Sequence, residues 1–600
     1  MKEKVVMDLE VYKDYFLAAF SNIETGNVRN FELFDGNPLD AQTIKRILLS
    51  YQVITFNGWN YDLPLLLLAV RHGSTNEILK RASDSIIVNN YRGWQFLDRH
   101  NLTLPKGLDH IDLYEVAPGV ASLKIYGGRL HCEKMQDLPY DPSASIGPKE
   151  RELLKLYNIN DLKTTTTLYE ALKPQLALRV RMGIEYKTDL RSKSDAQVAE
   201  TVITKSVAKH NGTLIAPTVQ SGTAFKFKKT DFITFTSAQL RDVLSIVLNA
   251  EFVVPENNQN ITMPKELSKL QISIGNSTYQ LGIGGLHSTE QRVSYQATND
   301  TLIIDRDVSS YYPTIILNQG LAPSHMGDAF TLTYRNILAK RLEAKKSGDK
   351  ITADSLKITV NGSFGKFGSS YSKLFSPDLM IQTTITGQLC LLMLIEALEH
   401  EGIPVVSANT DGVVIYCPIS KAAMMEFVVW EWETKTNFET DATHYKALYS
   451  RDVNSYIAIR SDGSVKRKGV YAIGGLQKNP TNEICVIAVT NYLRDGTSIE
   501  KTICECQDIR RFVTVRTVRQ GALKDNQLLG KAIRWYYATG VDGVFKNKAN
   551  GYKIPRTEGA KPILDLPEQF PSDVNFDWYI EEANSILQAI GAVQPEEVTA

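Results

Sequence analysis

The chain has 600 residues, which at roughly 100–200 residues per domain points to about three to six domains. Hydrophobic residues make up 43% and charged residues 22%, and 38 glycines with 22 prolines amount to one residue in ten, so collagen-like and low-complexity classes are excluded. Lysine plus arginine equals aspartate plus glutamate at 67 each, so any basic surface is local and is balanced by acid elsewhere.

In chain order, the opening Met1–Tyr15 carries no apolar leader core, so no signal peptide is expected. The β-branched and aromatic runs VVMDLEV (5–11) and YQVITFNGW (51–59) predict strands. The apolar run Leu63–Val70 is far too short to span a bilayer, and no membrane association is expected. PKERELLKLYNINDLKTTTTLYEALK (148–173) predicts a helix with an apolar stripe. Residues 190–300 have weaker periodicity and Pro, Asn and Gly clusters, and read as a connector with short strands. TLIIDRDVSS (301–310) starts a second folded body, and 330–370 reads as two helices joined by SGDK. IPVVSANTDGVVIYC (403–417) is two apolar runs around an Asp-Gly turn, a hairpin signal. The last 150 residues are mixed, and Arg534-Trp535-Tyr536-Tyr537 there is expected to be a helix face and core before it is a nucleic-acid contact. The six cysteines include no C-x-x-C pair, which argues for a reducing compartment and against a zinc ribbon or a disulfide scaffold. His287 and the other histidines show no metal-ligand spacing.

Carboxylates gather in two places. Asp8 and Glu10 are two apart on a predicted strand and share a face; Asp62 follows the second strand; Tyr157 and Asp161 are four apart on the predicted helix and also share a face. Four carboxylates meeting at one point repel unless cations sit between them, and two hard divalent ions can bridge such a cluster and activate water against a phosphodiester. In the second place, Asp307 ends a strand and Asp411 caps the hairpin, so the two can hold metal between them. Asp305 shares the face of Asp307 and is expected to be structural. Arg341 and Lys345 share a helix face, as do Lys357 and Asn361 on the next, and the SGDK turn makes the two helices antiparallel. Residues 335–373 hold nine basic side chains against three acidic, a cationic patch suited to a triphosphate. Gly362 and Gly365 are expected to let a base pair approach the helix closely.

The first group, in this order over about 1–190, resembles the three exonuclease motifs of DEDDy-type 3′→5′ proofreading nucleases. The resemblance implies a ribonuclease-H-like fold, with Asp8, Glu10, Asp62 and Asp161 as metal ligands and Tyr157 orienting the attacking water. The second group resembles a family-B DNA polymerase of bacteriophage type. Asp307-Val-Ser-Ser-Tyr-Tyr312-Pro-Thr-Ile-Ile316 matches D-x-x-S-L-Y-P-S-I-I. Lys357-Ile-Thr-Val-Asn361-Gly-Ser-Phe364-Gly365 matches K-x-x-x-N-S-x-Y-G, with Phe where the family has Tyr. Asn409-Thr410-Asp411 matches D-T-D, with Asn at the first acid. The ending from Phe576 to Gly591 resembles the thumb of phage members. Gly284-Gly285 resembles the glycine pair that joins exonuclease to palm, with Gly282 where an aromatic residue is usual.

The resemblance implies an α/β multidomain chain, an exonuclease followed by a right-hand polymerase. Its parts are an exonuclease domain (1–190), a connector leading into the palm (191–300), palm (301–330 and 370–450), fingers (331–369), and thumb with the C-terminal region (451–600). It further implies two Mg²⁺ per site, replaceable by Mn²⁺, and catalysis by Asp307 and Asp411. Nucleotide binding falls to Arg341, Lys345, Lys357, Asn361 and Tyr312, with the Tyr312 ring as the gate against a 2′-hydroxyl. Primer-template contact falls to Tyr456, Lys466, Arg467, Lys468, Gly284 and Gly285. The expected substrates are primer-template DNA and deoxynucleoside triphosphates, handled by a monomer in the cytoplasm, that of the host if the chain is viral. A helicase or single-strand-binding partner is compatible with this. No terminal protein is expected, because only 40 residues separate Ile316 from Lys357 and only 43 separate Gly365 from Asn409. The main alternative is a 3′→5′ exonuclease with a relic, DNA-binding polymerase domain; a scaffolding protein and an RNA-synthesising palm enzyme are the others.

Overall fold

The structure is a computed structural model that describes residues 2–213, 216–256 and 261–592. Its contacts divide the chain into two units: Met1–Ser194 with Ile473–Ile484 and Glu505–Tyr579, and Asp195–Ala472 with Cys485–Cys504 and Ile580–Ala600.

In the first unit, strands β1 (Lys4–Val11), β2 (Phe16–Asn22), β3 (Val28–Leu33), β4 (Gln52–Thr55) and β5 (Asp109–Asp112) form one sheet in the order β3-β2-β1-β4-β5. β1 lies in the middle, antiparallel to β2 and parallel to β4. Both of its faces are therefore covered. Val5, Met7 and Leu9 pack with the leucines of helix α1 (Asp62–Ala69), while Val6 packs with Tyr126 of α2 (Leu123–Arg129) and Leu162 and Leu168 of α3 (Pro148–Glu185). α3 starts at a proline, whose missing N–H costs nothing in a first helical turn, and runs for 38 residues.

The second unit begins with α4 (Asp195–Asn211). Its centre is a ten-stranded sheet of β6 (Ile272–Ile274), β7 (Ser277–Leu281), β8 (Leu286–Ser288), β9 (Gln291–Gln296), β10 (Thr301–Val308), β11 (Val405–Asn409), β12 (Gly412–Pro418), β13 (Thr440–Asp452), β14 (Ser455–Arg460) and β15 (Val465–Arg467). The order is β15-β14-β13-β10-β12-β11-β8-β7-β6, with β9 paired to β13. The stretch read as a connector thus supplies four strands of this sheet. They are short and pair far along the chain, as His287 does with Asn409, so local periodicity does not announce them.

Between β10 and β11 come helices α5 (Tyr311–Asn318), α6 (Asp328–Ser347), α7 (Lys350–Phe367) and α8 (Pro377–His400); α9 (Ala422–Thr436) follows β12. α6 ends at Gly348 in the left-handed conformation, and Asp349 caps α7 by accepting from the Thr352 N–H, so SGDK folds the pair back on itself. α8 is long and apolar enough to cross a membrane, but it is mostly buried and packs in the core with the sheet.

The stretch 451–600 does not stay together, since 473–484 and 505–579 belong to the first unit. There β16 (Thr514–Lys524) and β17 (Gln527–Tyr537) pair as a hairpin. Arg534-Trp535-Tyr536-Tyr537 is a strand end, not a helix face, because Arg534 and Trp535 stand opposite Val515 and Thr514 of β16 and all four are buried. The Arg534 guanidinium donates to the carbonyls of Ile563, Cys132, Glu133 and Leu564 at 2.8–3.0 Å, a structural clamp.

Candidate active sites

The pleat of β1 turns Asp8 and Glu10 to the side that α3 covers, and α3 supplies Asp161. One carboxylate oxygen from each of the three lies within 4.8 Å of the others. Asp62 opens α1 and is buried. Burial first, and then Asp62, Glu10 and Asp161, hold the Asp8 carboxyl well above the usual range. Burial and Asp161 push Glu10 up to about 8, and burial and Asp112 push Asp62 up to about 8. Burial also raises Asp161. Lys124, on α2, pulls the other way at Asp8, Glu10 and Asp161. Its ammonium donates to the Tyr157 hydroxyl and, at 2.8 Å, to the Gln136 carbonyl, and Tyr157 in turn hydrogen-bonds Asp161.

Asn158 sits in the same cluster, its Nδ2 donating to Asp8 at 2.7 Å and to Glu10 at 3.5 Å while its Oδ1 is buried without a partner. An all-oxygen donor set of mutually repelling, buried carboxylates fits hard divalent cations such as Mg²⁺ or Mn²⁺. Asp112 anchors the approach to Asp62: its carboxylate accepts the N–H groups of Asn57, Trp59 and Tyr114 at 2.7–3.0 Å and fixes the left-handed turn at Asn57.

In the second unit, Asp307 lies next to the end of β10 and opposite both Gly412 of β12 and Asp441 of β13. Asp411 occupies the β11–β12 tip, whose carbonyl accepts from the Val308 N–H at 2.7 Å, beside Thr410 in the left-handed conformation. Gly412 is required, because a Cβ there would strike the Asp307 carboxylate and come within 2.9 Å of the Arg306 carbonyl. A cleft of about 470 Å³ opens over these residues, lined also by Asp305, Asn409, Lys466 and Lys468. Burial and then Asp305 push Asp307 up to about 6, and burial raises Asp411 as well. Asp305 is engaged by the Tyr445 hydroxyl and, at 3.0 Å, by the Lys466 ammonium. Asn409 donates to the Val453 carbonyl at 3.3 Å and to Asn454 at 3.4 Å, tying the hairpin to the β13–β14 turn.

Around this cleft, Tyr312 of α5 packs its ring on Phe364 of α7, with centroids 4.4 Å apart. Arg341 donates to the Ser310 hydroxyl at 2.6 Å, and Lys345 stands 4.0 Å from Asp441. Lys357 and Asn361 are exposed on α7. Of the two α7 glycines, Gly365 faces open space, but Gly362 does not: a Cβ there would lie 2.9 Å from the Asp195 carbonyl, so it serves the packing of α4. Lys466 turns inward to Asp305, with its ammonium 5.8 Å over the ring of half-buried Tyr456. Arg467 donates to the Thr490 hydroxyl, while Lys468 is exposed at the cleft. Gly284 and Gly285 form the β7–β8 turn, and Gly285 backs directly onto Thr410.

No protein-family model matches the chain. The chain is 25% identical over 120 residues to DNA polymerase 1 of Saccharolobus solfataricus, covering 19% of this chain and 13% of that one. It is 24% identical over 186 residues to DNA polymerase 1 of Aeropyrum pernix, covering 28% and 19%. It is 27% identical over 134 residues to DNA polymerase II of Escherichia coli, covering 18% and 17%. In those stretches the chain is related to DNA polymerases. It spans less than a fifth of the length of each of these curated relatives. The family B DNA polymerase of the hyperthermophilic archaeon Pyrobaculum calidifontis aligns with 99% of this chain and 78% of its own, at 14% identity and a TM-score of 0.41.

Of the acids singled out from sequence, Asp8, Glu10 and Asp161 come together in one unit and Asp307 and Asp411 in the other, while Asp62 stands outside the group of three whose oxygens lie within 4.8 Å. Sequence reasoning missed Asn158, Lys124, Asp112 and Asp441. Asn158 had a signal, since it stands three residues before Asp161 on one helical face. Lys124 and Asp112 had none, because each reaches its site through tertiary contacts. Asp441 becomes visible only once the β10–β13 register is known.

Proposed function

We propose that the chain is a template-directed DNA polymerase of bacteriophage type, family B, that carries its own 3′→5′ proofreading exonuclease. The observation that carries the reading is Asp307 beside the Asp411 tip in one cleft, next to a cationic helical hairpin. In this reading 301–330 and 370–450 act as palm, 331–369 as fingers, and 1–190 as the exonuclease.

Asp307 and Asp411 would hold the polymerase metals, and Asp8, Glu10, Asp62 and Asp161 the exonuclease metals. When bound, such divalent ions supply Lewis-acid chemistry, making a nucleophile of a primer hydroxyl or a water and neutralising phosphoryl charge. The chain's own groups do the rest. Arg341, Lys345 and Lys357 bring cations to the triphosphate, and the exposed Asn361 and the half-buried Phe364 face the incoming base. Tyr312 lies under the sugar. Lys468 at the cleft rim, with Tyr456, steadies the primer strand, and phosphate contacts of this kind give affinity without sequence preference. In the exonuclease site, Tyr157, held between Lys124 and Asp161, orients the attacking water. Substrates are primer-template DNA and deoxynucleoside triphosphates, used in the cytoplasm of a host cell. α6 and α7 take up most of the residues between Ile316 and Lys357, and α8 most of those between Gly365 and Asn409, which supports priming from a nucleic-acid end and not from a terminal protein.

One observation favours the alternative of an exonuclease with a relic palm, namely the neutral Asn409 in place of an acid. Incubation of the purified chain with a 5′-labelled primer-template and Mg²⁺ tests the reading. Stepwise extension with all four deoxynucleotides and 3′ shortening without them are expected. Shortening alone, under every metal condition, would leave the relic reading standing.

A further inference from the structure

We propose that Gln388 is a positioning residue for sugar selection, acting on Tyr312 through the β7–β8 turn; the inference rests on the polymerase reading above. Gln388 sits on α8 among apolar neighbours and is 1% exposed. A buried amide costs stability unless both of its ends are paired; here both ends reach Gly282, and the Nε2 also donates to the Thr384 carbonyl of its own helix at 3.2 Å. Its Oε1 accepts from the Gly282 N–H at 2.9 Å, and its Nε2 donates to the Gly282 carbonyl at 3.0 Å. Gly282 closes the turn with Gly285 through two backbone hydrogen bonds, of 3.0 and 3.3 Å. Inside that turn the Gly284 carbonyl accepts the Tyr312 hydroxyl.

The residue before Gln388 completes the arrangement. A Cβ at Gly387 would lie 3.2 Å from the rings of both Tyr311 and Tyr312, and the Tyr311 hydroxyl donates to the Gly387 carbonyl at 2.6 Å. The Tyr312 ring is thus bounded by Phe364, by Gly387 and, at its hydroxyl, by a carbonyl whose place Gln388 sets. Excluding one hydroxyl from a sugar pocket demands a wall that does not tilt, because a wall that yields a fraction of an ångström admits the larger sugar. A Cβ at Gly282 would lie 2.9 Å from the Gly285 carbonyl, so the closed turn itself disfavours an aromatic residue at 282.

Gln388→Leu keeps the volume and removes both grips. Single-nucleotide incorporation is measured with each ribonucleotide and deoxyribonucleotide for wild type, Gln388→Leu, Tyr312→Phe and the double variant, with thermal unfolding as the folding control. Gln388→Leu is expected to raise ribonucleotide relative to deoxyribonucleotide incorporation by about three- to tenfold, the scale of one positioning hydrogen bond, through a lower KM for the ribonucleotide. Tyr312→Phe is expected to move the ratio the same way, and the double variant to add nothing further, since both act through one contact. An unchanged ratio in a folded Gln388→Leu, or additive effects in the double variant, overturns the proposal. If Gln388→Leu does not fold, an unchanged ratio in Tyr312→Phe overturns it. A wild type that incorporates no deoxynucleotide at all overturns the polymerase reading, and this inference with it.

Discussion

At the scale of single residues, charge that the fold cannot neutralise by itself marks both sites. Glu10 sits at about 8 in the folded chain against an ordinary 4.5, raised by burial and by Asp161. Because the folded value is the higher, its contribution to stability is fully present below about pH 4.5 and is lost as pH rises through about 8. A bound cation restores what is lost. Mg²⁺ is therefore expected to raise the melting temperature more at about pH 8.5 than at about pH 6, and Glu10→Gln to flatten that difference. Equal Mg²⁺ shifts at both pH values in the wild type would contradict this. Asn409 behaves differently. Its amide is committed to the Val453 carbonyl and Asn454, so it orients the hairpin without holding an ion. Asn409→Asp is expected to keep primer extension while shifting its Mg²⁺ optimum, by about 10–100-fold in activity at most, whereas Asp411→Asn abolishes extension. A Mg²⁺ titration of the three proteins checks this, and activity that appears only in Asn409→Asp would count against it.

At the scale of elements, two contacts set what the strands deliver. Gly412→Ala drives a Cβ into the Asp307 carboxylate and is expected to lower primer extension by about 10²-fold while sparing 3′ degradation, since a misplacement of about 1 Å is enough. Arg534→Met takes the donor from the carbonyls of Ile563 and Cys132, while those of Glu133 and Leu564 keep the N–H groups of Leu566 and Met135. It is expected to cost about 3–5 kcal/mol in urea unfolding, at about 1–3 kcal/mol per unpaired group with partial relaxation. Elements whose partners are near in sequence were legible: the Asp-Gly hairpin 405–418, the SGDK-linked helices and the long helix from Pro148 all stand where periodicity and turn chemistry put them. The short strands β6–β9 were not, because three to six residues carry too little pattern and their partners lie about 120–160 residues away or in a neighbouring hairpin. Arg534 was read on the wrong element because an interleaved basic-aromatic run fits a helix face and a buried strand equally well.

At the scale of the whole molecule, the carboxylate clusters lie in different units, each with its own sheet and core. The candidate acids were legible because each stands on a strand, at a helix start, on a helix face or at a hairpin tip that the sequence pattern announces; the groups that tune them, Lys124, Asp112 and Asp441, were not, since folding alone brings them in. In the proposed function each cluster carries one activity, so the two are expected to be separable. The most direct measurement follows a 5′-labelled primer-template through time with Mg²⁺, with and without deoxynucleotides, for the wild type, for Asp8→Ala with Glu10→Ala, and for Asp307→Ala. The double variant is expected to extend primers and no longer shorten them, and Asp307→Ala to shorten but never extend. Loss of both activities in either folded variant, or a wild type that shortens but never extends, would contradict a polymerase with its own proofreading site.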